Sequence, residues 1–127
     1  MKKRKLEMVL QGLKPLATRS PGLEQYATPA GIAADILWEA YGAGDIEGMA
    51  VADLGCGNGI FSIGAKLMGA SRVFAIDVDP EAIKVARGNA SALNLDIEFL
   101  ACGVESAEGS FDTVIQNPPF GAQRKHA

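Results

Sequence analysis

Val51 to Gly59, VADLGCGNG, is the stretch that decides the fold. An apolar run from Val51 to Leu54 breaks at Gly55, and Gly57 and Gly59 follow before a helical pattern starts at Ile60. This reads as a buried strand entering a helix through a glycine-rich turn. Gly55, Gly57 and Gly59 allow left-handed backbone angles and let a ligand approach without meeting a Cβ. The helix beyond turns its free N–H groups toward such a ligand. A bare strand-to-helix turn requires fewer glycines than this.

Outward from that turn, short apolar runs alternate with helical ones. Met49 to Leu54 is followed by a helix from Ile60 to Met68, a strand from Val73 to Ile76, a helix from Pro80 to Leu93, and strands at Ile97 to Cys102 and Phe111 to Ile115. A short irregular crossover, Gly103 to Ser110, joins the last two. Units of this size predict an α/β fold, a parallel sheet with helices on both faces.

Upstream, Leu6, Val9, Leu10 and Leu13 recur at helical spacing, giving an amphipathic helix that ends near Gly12 to Pro15. Thr28-Pro29 opens a second helix with a capping hydroxyl and a proline in the first turn. Its stripe is Ile32, Ala33, Ile36, Leu37 and Ala40, and Gly42 and Gly44 end it. The chain is therefore expected to be one domain over 1–127, with an N-terminal helical part at 1–44 and a ligand-binding core at 45–127.

At 127 residues, 48% hydrophobic and 21% charged, the chain suits an ordinary globular domain with one core. No apolar run is long enough to span a bilayer, and the basic start leads into an amphipathic pattern rather than a signal peptide, which predicts a cytoplasmic protein. Cys56 and Cys102 have no nearby second thiol or histidine, so neither a disulfide nor a metal site is expected, and both should be small buried residues. The net charge of -3 divides unevenly: residues 1–19 carry +5 and the remainder -8. A basic arm on an acidic body suits contact with phosphates, although a solvated terminus has the same composition.

A second strand ending in Asp77 places a carboxylate 22 residues after Gly55, where it can accept both hydroxyls of a ribose. Asp79-Pro80 supplies the next helix cap, which leaves Asp77 for a ligand. The glycine spacing is G-x-G-x-G, not the G-x-G-x-x-G of dinucleotide sites, so pyrophosphate binding is not indicated.

Asp53-Leu54-Gly55-Cys56-Gly57-Asn58-Gly59, Asp77 and Asn117-Pro118-Pro119-Phe120 together resemble the Rossmann-like methyltransferases that use S-adenosylmethionine, in their amino-methylating branch. Leu23-Glu24-Gln25-Tyr26-Ala27-Thr28-Pro29 narrows the likeness. It is similar to the methyltransferase-like protein 5 family of archaeal and eukaryotic ribosomal-RNA adenine-N6 methyltransferases. The resemblance runs from Leu6 onward.

That resemblance implies a cofactor site. Asp53 and the backbone of Gly55 and Gly57 would hold the methionine part and Asp77 the ribose, while Tyr26 and Thr28 close over the methionine end. Gln25, Cys56, Asn58, Gly59, Val78 and Gly103 complete the set. Thr28 is also fully explained by capping alone. One departure stands out: many relatives carry an acidic residue after the third strand to meet the adenine amino group, and here that place reads Ala101-Cys102-Gly103-Val104. Backbone around Gly103 can still meet the adenine edge, and Glu105 reaches it if the loop is shifted.

On the substrate side, Asn117, Pro118, Pro119 and Phe120 would form the catalytic turn. An adenine amine is a weak nucleophile because its lone pair is delocalised. The Asn117 oxygen and Pro118 carbonyl would accept its two hydrogens and Phe120 would stack on the ring. RNA is the expected partner, with a small zinc-binding activator implied by the resemblance. Protein-glutamine or guanine-N2 methylation, or a non-catalytic module, remain alternatives. The family's sheet has seven strands, so the four read here predict a truncated piece lacking C-terminal strands, with Phe111 to Ile115 as an exposed edge.

Overall fold

In the computed structural model the described residues are 1–17 and 28–116. In chain order they form α1 (Lys3–Gln11), α2 (Ala30–Gly42), β1 (Ala50–Leu54), α3 (Ile60–Leu67), β2 (Arg72–Asp77), α4 (Pro80–Ala92), β3 (Glu98–Ala101), a 3-10 turn (Val104–Ser106) and β4 (Thr113–Gln116). The four strands make one parallel sheet in the order β3-β2-β1-β4. Val51 pairs with Val73 on one side and Thr113 on the other, and Asp77 pairs with Ala101. The expected Rossmann-like architecture is present.

The described helices gather on one face of the sheet. Val51 and Val73 point into a core with Leu6 and Leu10 of α1, Ala33 and Leu37 of α2, and Ile63 and Ala65 of α3, all of them essentially buried. Ala75 meets Ile83 and Ala86 of α4 on the same side. Right-handed crossovers that step in one direction, β1 to β2 to β3, place both connecting helices on one face. The alternate residues Ala52, Phe74 and Val114 lie opposite, and Val114 is half exposed.

Burying each Leu, Ile or Val in this core stabilises the fold by roughly 1.5–3 kcal/mol. That packing is what holds α1, since its nine residues have no side-chain cap and a helix so short is marginal alone. Leu6 and Leu10 anchor it, so the N-terminal helical part shares one core with the sheet. Gly64 lets α2 lie close against α3: a Cβ there would collide with Leu37 Cδ1.

Three local expectations change. The N-cap of α2 is Pro29, which makes no side-chain cap bond, and Thr28 stands one residue earlier. Pro29 holds φ at -59° with ψ at 144°, an extended conformation, so the helix begins only at Ala30. Phe111 lies outside β4, which begins at Thr113, and its ring stacks on Phe74 with centroids 5.7 Å apart. Asp112 ties the start of β4 to β1, accepting from the Ala50 amide at 2.9 Å and donating its own amide to the Ala50 carbonyl. Cys102 is partly exposed rather than buried.

Candidate functional site

At the carboxyl ends of β1 and β2 the glycine turn sits between two carboxylates. Gly55, Gly57 and Gly59 all have positive φ, at 83°, 56° and 91°, which is the conformation their sequence predicts. Gly59 is the N-cap of α3, and a Cβ on it would lie 3.1 Å from Ala86 Cβ, so glycine is needed there for space as well as angle.

The turn is tied internally. The amides of Gly55 and Cys56 both donate to the Ile76 carbonyl at 2.8 Å, that of Gly57 to Asp77 Oδ2 at 2.9 Å, that of Gly59 to the Cys56 carbonyl, and that of Ile60 to Asn58 Oδ1. The sequence predicts donors that face a ligand. They are instead spent on holding the loop, and an anion gains little from them.

Asp77 is likewise not left free by the Asp79 cap. Asp79 does cap α4 through the Glu81 amide, but Asp77 accepts from Gly57 with one oxygen and from the Asp79 amide, at 3.0 Å, with the other. Each carboxylate oxygen has two lone pairs, so one acceptor position per oxygen remains for ribose hydroxyls. The two internal bonds fix the carboxylate's direction.

Asp53 is the most unusual group in the site. It is 1% exposed, accepts from Ser62 Oγ at 2.5 Å through Oδ2, and its Oδ1 has no hydrogen-bond partner among the described residues. Burial pushes its carboxyl up to about 6; the Ser62 hydroxyl and amide pull the other way, and the charge of Asp77 adds to the rise. A buried acceptor without a donor is costly unless a ligand supplies one. Burial also pushes the Cys56 thiol far above its ordinary range, helped by Asp53 and Asp77, so it stays protonated and inert, packed against Ala75, Ile83 and Ala86.

Asn58 belongs to the scaffold. Its Nδ2 donates to the Lys14 carbonyl at 3.1 Å while its Oδ1 caps α3. The buried Asn89 of α4, which sequence reasoning passes over, completes this lock. It accepts from the Lys14 amide and donates to the carbonyls of Lys14 and Asn58, all near 3.0 Å. Leu16 is carried beside Gly57, 3.9 Å from where a Cβ would stand. Only a mid-helix polar residue on an otherwise apolar face signals this in the sequence.

Val78 follows Asp77 and is 72% exposed, an apolar surface at the mouth of the site, and Gly103 follows β3. Gln25, Tyr26, Asn117, Pro118, Pro119 and Phe120 lie outside the described residues. Gln116, the last described residue, pairs with Leu54 beside the glycine turn. Among the described residues no cluster of His, Cys, Asp and Glu is placed to hold a metal ion, and no helix is long and apolar enough to cross a membrane.

Comparison with known proteins agrees with this geometry. The chain is 40% identical over 129 residues to the rRNA N(6)-adenosine-methyltransferase METTL5 of Danio rerio, covering 97% of this chain and 62% of that one. The crystal structure of the PH1948 protein of Pyrococcus horikoshii superposes with a TM-score of 0.86 at 44% identity, over 98% of this chain and 63% of that one. The tRNA (uracil-54, C5)-methyltransferase of Pyrococcus abyssi, solved in complex with S-adenosyl-L-homocysteine, superposes with a TM-score of 0.63 at 28% identity, over 76% of this chain and 24% of that one. The chain thus spans less than two thirds of the length of these relatives. The family model of the methyltransferase small domain matches residues 32–127, taking in the glycine turn, both carboxylates and the Asn-Pro-Pro-Phe segment, and the chain belongs to that family.

Proposed function

We propose that the chain binds S-adenosylmethionine across Asp53, the glycine turn and Asp77, and serves an enzyme that methylates N6 of adenine in ribosomal RNA. The observation that carries this reading is the polarity of the site. Four of the turn's amides, those of Gly55, Cys56, Gly57 and Gly59, are used internally, whereas Asp53 Oδ1 is a buried acceptor without a donor among the described residues and Asp77 keeps spare lone pairs. Such a site rejects a pyrophosphate, which needs donors and is repelled by two carboxylates. It suits a ligand that brings an ammonium group and ribose hydroxyls.

When bound, S-adenosylmethionine supplies an electrophilic methyl group on a sulfonium. In this reading the protein's task is orientation. Asn117 and the Pro118 carbonyl accept the two amino hydrogens of the base and so direct its lone pair, and Phe120 stacks on the ring, worth about 1–3 kcal/mol. No strong base is required, because the amine becomes acidic only after methylation; alignment and exclusion of water supply most of the rate. A base buried in a helix must first be turned out.

The rRNA assignment draws on the match to the Danio rerio enzyme, which takes in almost the whole chain, and on the basic α1. Mass spectrometry of nucleosides from ribosomal RNA incubated with the chain and the methyl donor tests it. N6-methyladenosine is expected. Label in N2-methylguanosine or in protein, with none at adenine N6, would overturn the substrate assignment.

A further inference from the structure

Asp53 stands in a middle strand of the sheet with apolar neighbours. The residues paired with it, Ala75 of β2 and Ile115 of β4, have side chains that donate nothing. Its donors among the described residues both come from Ser62, in the first turn of α3. The Ser62 hydroxyl meets Oδ2 at 2.5 Å, and the Ser62 amide also bonds the carboxylate.

Ser62 is 0% exposed, and Phe61 and Ile63 beside it are buried too. A hydroxyl buried so deeply is costly unless it is hydrogen-bonded, and Asp53 is its partner. A pairing made for stability alone would leave no acceptor over, yet Oδ1 has no partner among the described residues. The carboxylate is planar, so holding Oδ2 on α3 also sets the direction of Oδ1. The same hydrogen bond favours the ionised form, against the burial that disfavours it.

We propose that Ser62 is a positioning residue for the cofactor's ammonium group, turning Asp53 so that Oδ1 meets the amino-acid end of the methyl donor. The assignment rests on the methyl-donor reading above. Ser62 is itself sealed from any ligand and acts through Asp53. Among the described residues, the titratable groups that face Asp53 are Asp77, whose charge raises its carboxyl, and the protonated Cys56 thiol of the turn; α3 brings Ser62 and β4 brings Ile115. None of them replaces the Ser62 donor.

The test compares, by calorimetry, S-adenosylhomocysteine with 5′-methylthioadenosine, which has the nucleoside and thioether without the ammonium. Ser62→Ala should weaken the first by roughly 10-fold, the scale of one hydrogen bond to a charged group, and the second by less than about twofold. Retained binding of the second compound also shows that the variant is folded. In an Asp53→Asn background Ser62→Ala should cost nothing further, because the serine acts through that carboxylate. The pH below which affinity for S-adenosylhomocysteine falls, about 6 in the parent, should move upward in Ser62→Ala. Equal losses for the two compounds, additive losses in the double variant, or no loss at all would overturn the role of Ser62 while leaving the methyl-donor reading intact. If the parent chain bound neither compound, that reading would fall and this assignment with it.

Discussion

The Gly57 amide donates a 2.9 Å hydrogen bond to Oδ2 of Asp77, so the carboxylate at the end of β2 also holds the glycine turn at the end of β1. Ligand recognition and loop shape are therefore joined in one side chain. Asp77→Asn should weaken S-adenosylhomocysteine binding by roughly 10- to 100-fold, since the amide nitrogen cannot accept from either Gly57 or a ribose hydroxyl. Titration calorimetry measures this. A loss of less than threefold would show that Asp77 does not face the ligand.

Asp53 makes affinity depend on pH. Its carboxyl keeps a proton up to about 6 in the fold, against an ordinary value of 3.8. A ligand that brings an ammonium to Oδ1 binds the ionised form, so affinity should fall roughly tenfold per pH unit below about 6. Stability of the ligand-free chain runs the other way. Between about pH 4 and 6 the native state holds a proton that the unfolded state has lost, so stability declines as pH rises through that window, on the order of 3 kcal/mol in total. In Asp53→Asn both dependences should disappear, which calorimetry and urea melts across pH 4–8 would show.

Much of this is legible in the sequence, for identifiable reasons. The positive φ of Gly55, Gly57 and Gly59 and the alternation of strands and helices are local properties, written in residue type and period. Partners from distant parts of the chain are not. Nothing in the sequence near Asp77 announces that Gly57 takes one oxygen and Asp79 the other, and nothing near Asn89 shows that Lys14, 75 positions away, is its partner. Thr28 stands one residue before the N-cap for a local reason: the extended Pro29 sets the helix start at Ala30.

Asn89 satisfies both polar groups of the Lys14 backbone. Replacing it with alanine leaves the Lys14 amide and the Asn58 carbonyl without the Asn89 side chain, which should cost about 1–3 kcal/mol in urea unfolding. Asn89→Asp should not rescue the loss, because a carboxylate donates to neither carbonyl. Equal stability of Asn89→Ala and the parent would show that the lock carries no weight.

Four basic residues open the chain, Lys2 to Lys5, all exposed, and one of them is held in an ion pair. That one is Lys3, paired with Asp35 of α2. If Lys2, Arg4 and Lys5 meet RNA phosphates, replacing them with glutamine should lower affinity and flatten the salt dependence by roughly 0.7–0.9 for each phosphate no longer neutralised. Lys3→Gln should change the slope least. Fluorescence anisotropy across a series of salt concentrations would reveal the difference, and identical slopes for all variants would return the arm to the status of a solvated terminus.

The most direct measurement is a nuclear magnetic resonance titration of the labelled chain with S-adenosylhomocysteine, with NAD as the comparison ligand. The account predicts amide shifts concentrated at Gly55 to Gly59, at Asp77 and Val78, and at Cys102 to Glu105, with little response to NAD. Shifts elsewhere, or a stronger response to NAD than to S-adenosylhomocysteine, would contradict it.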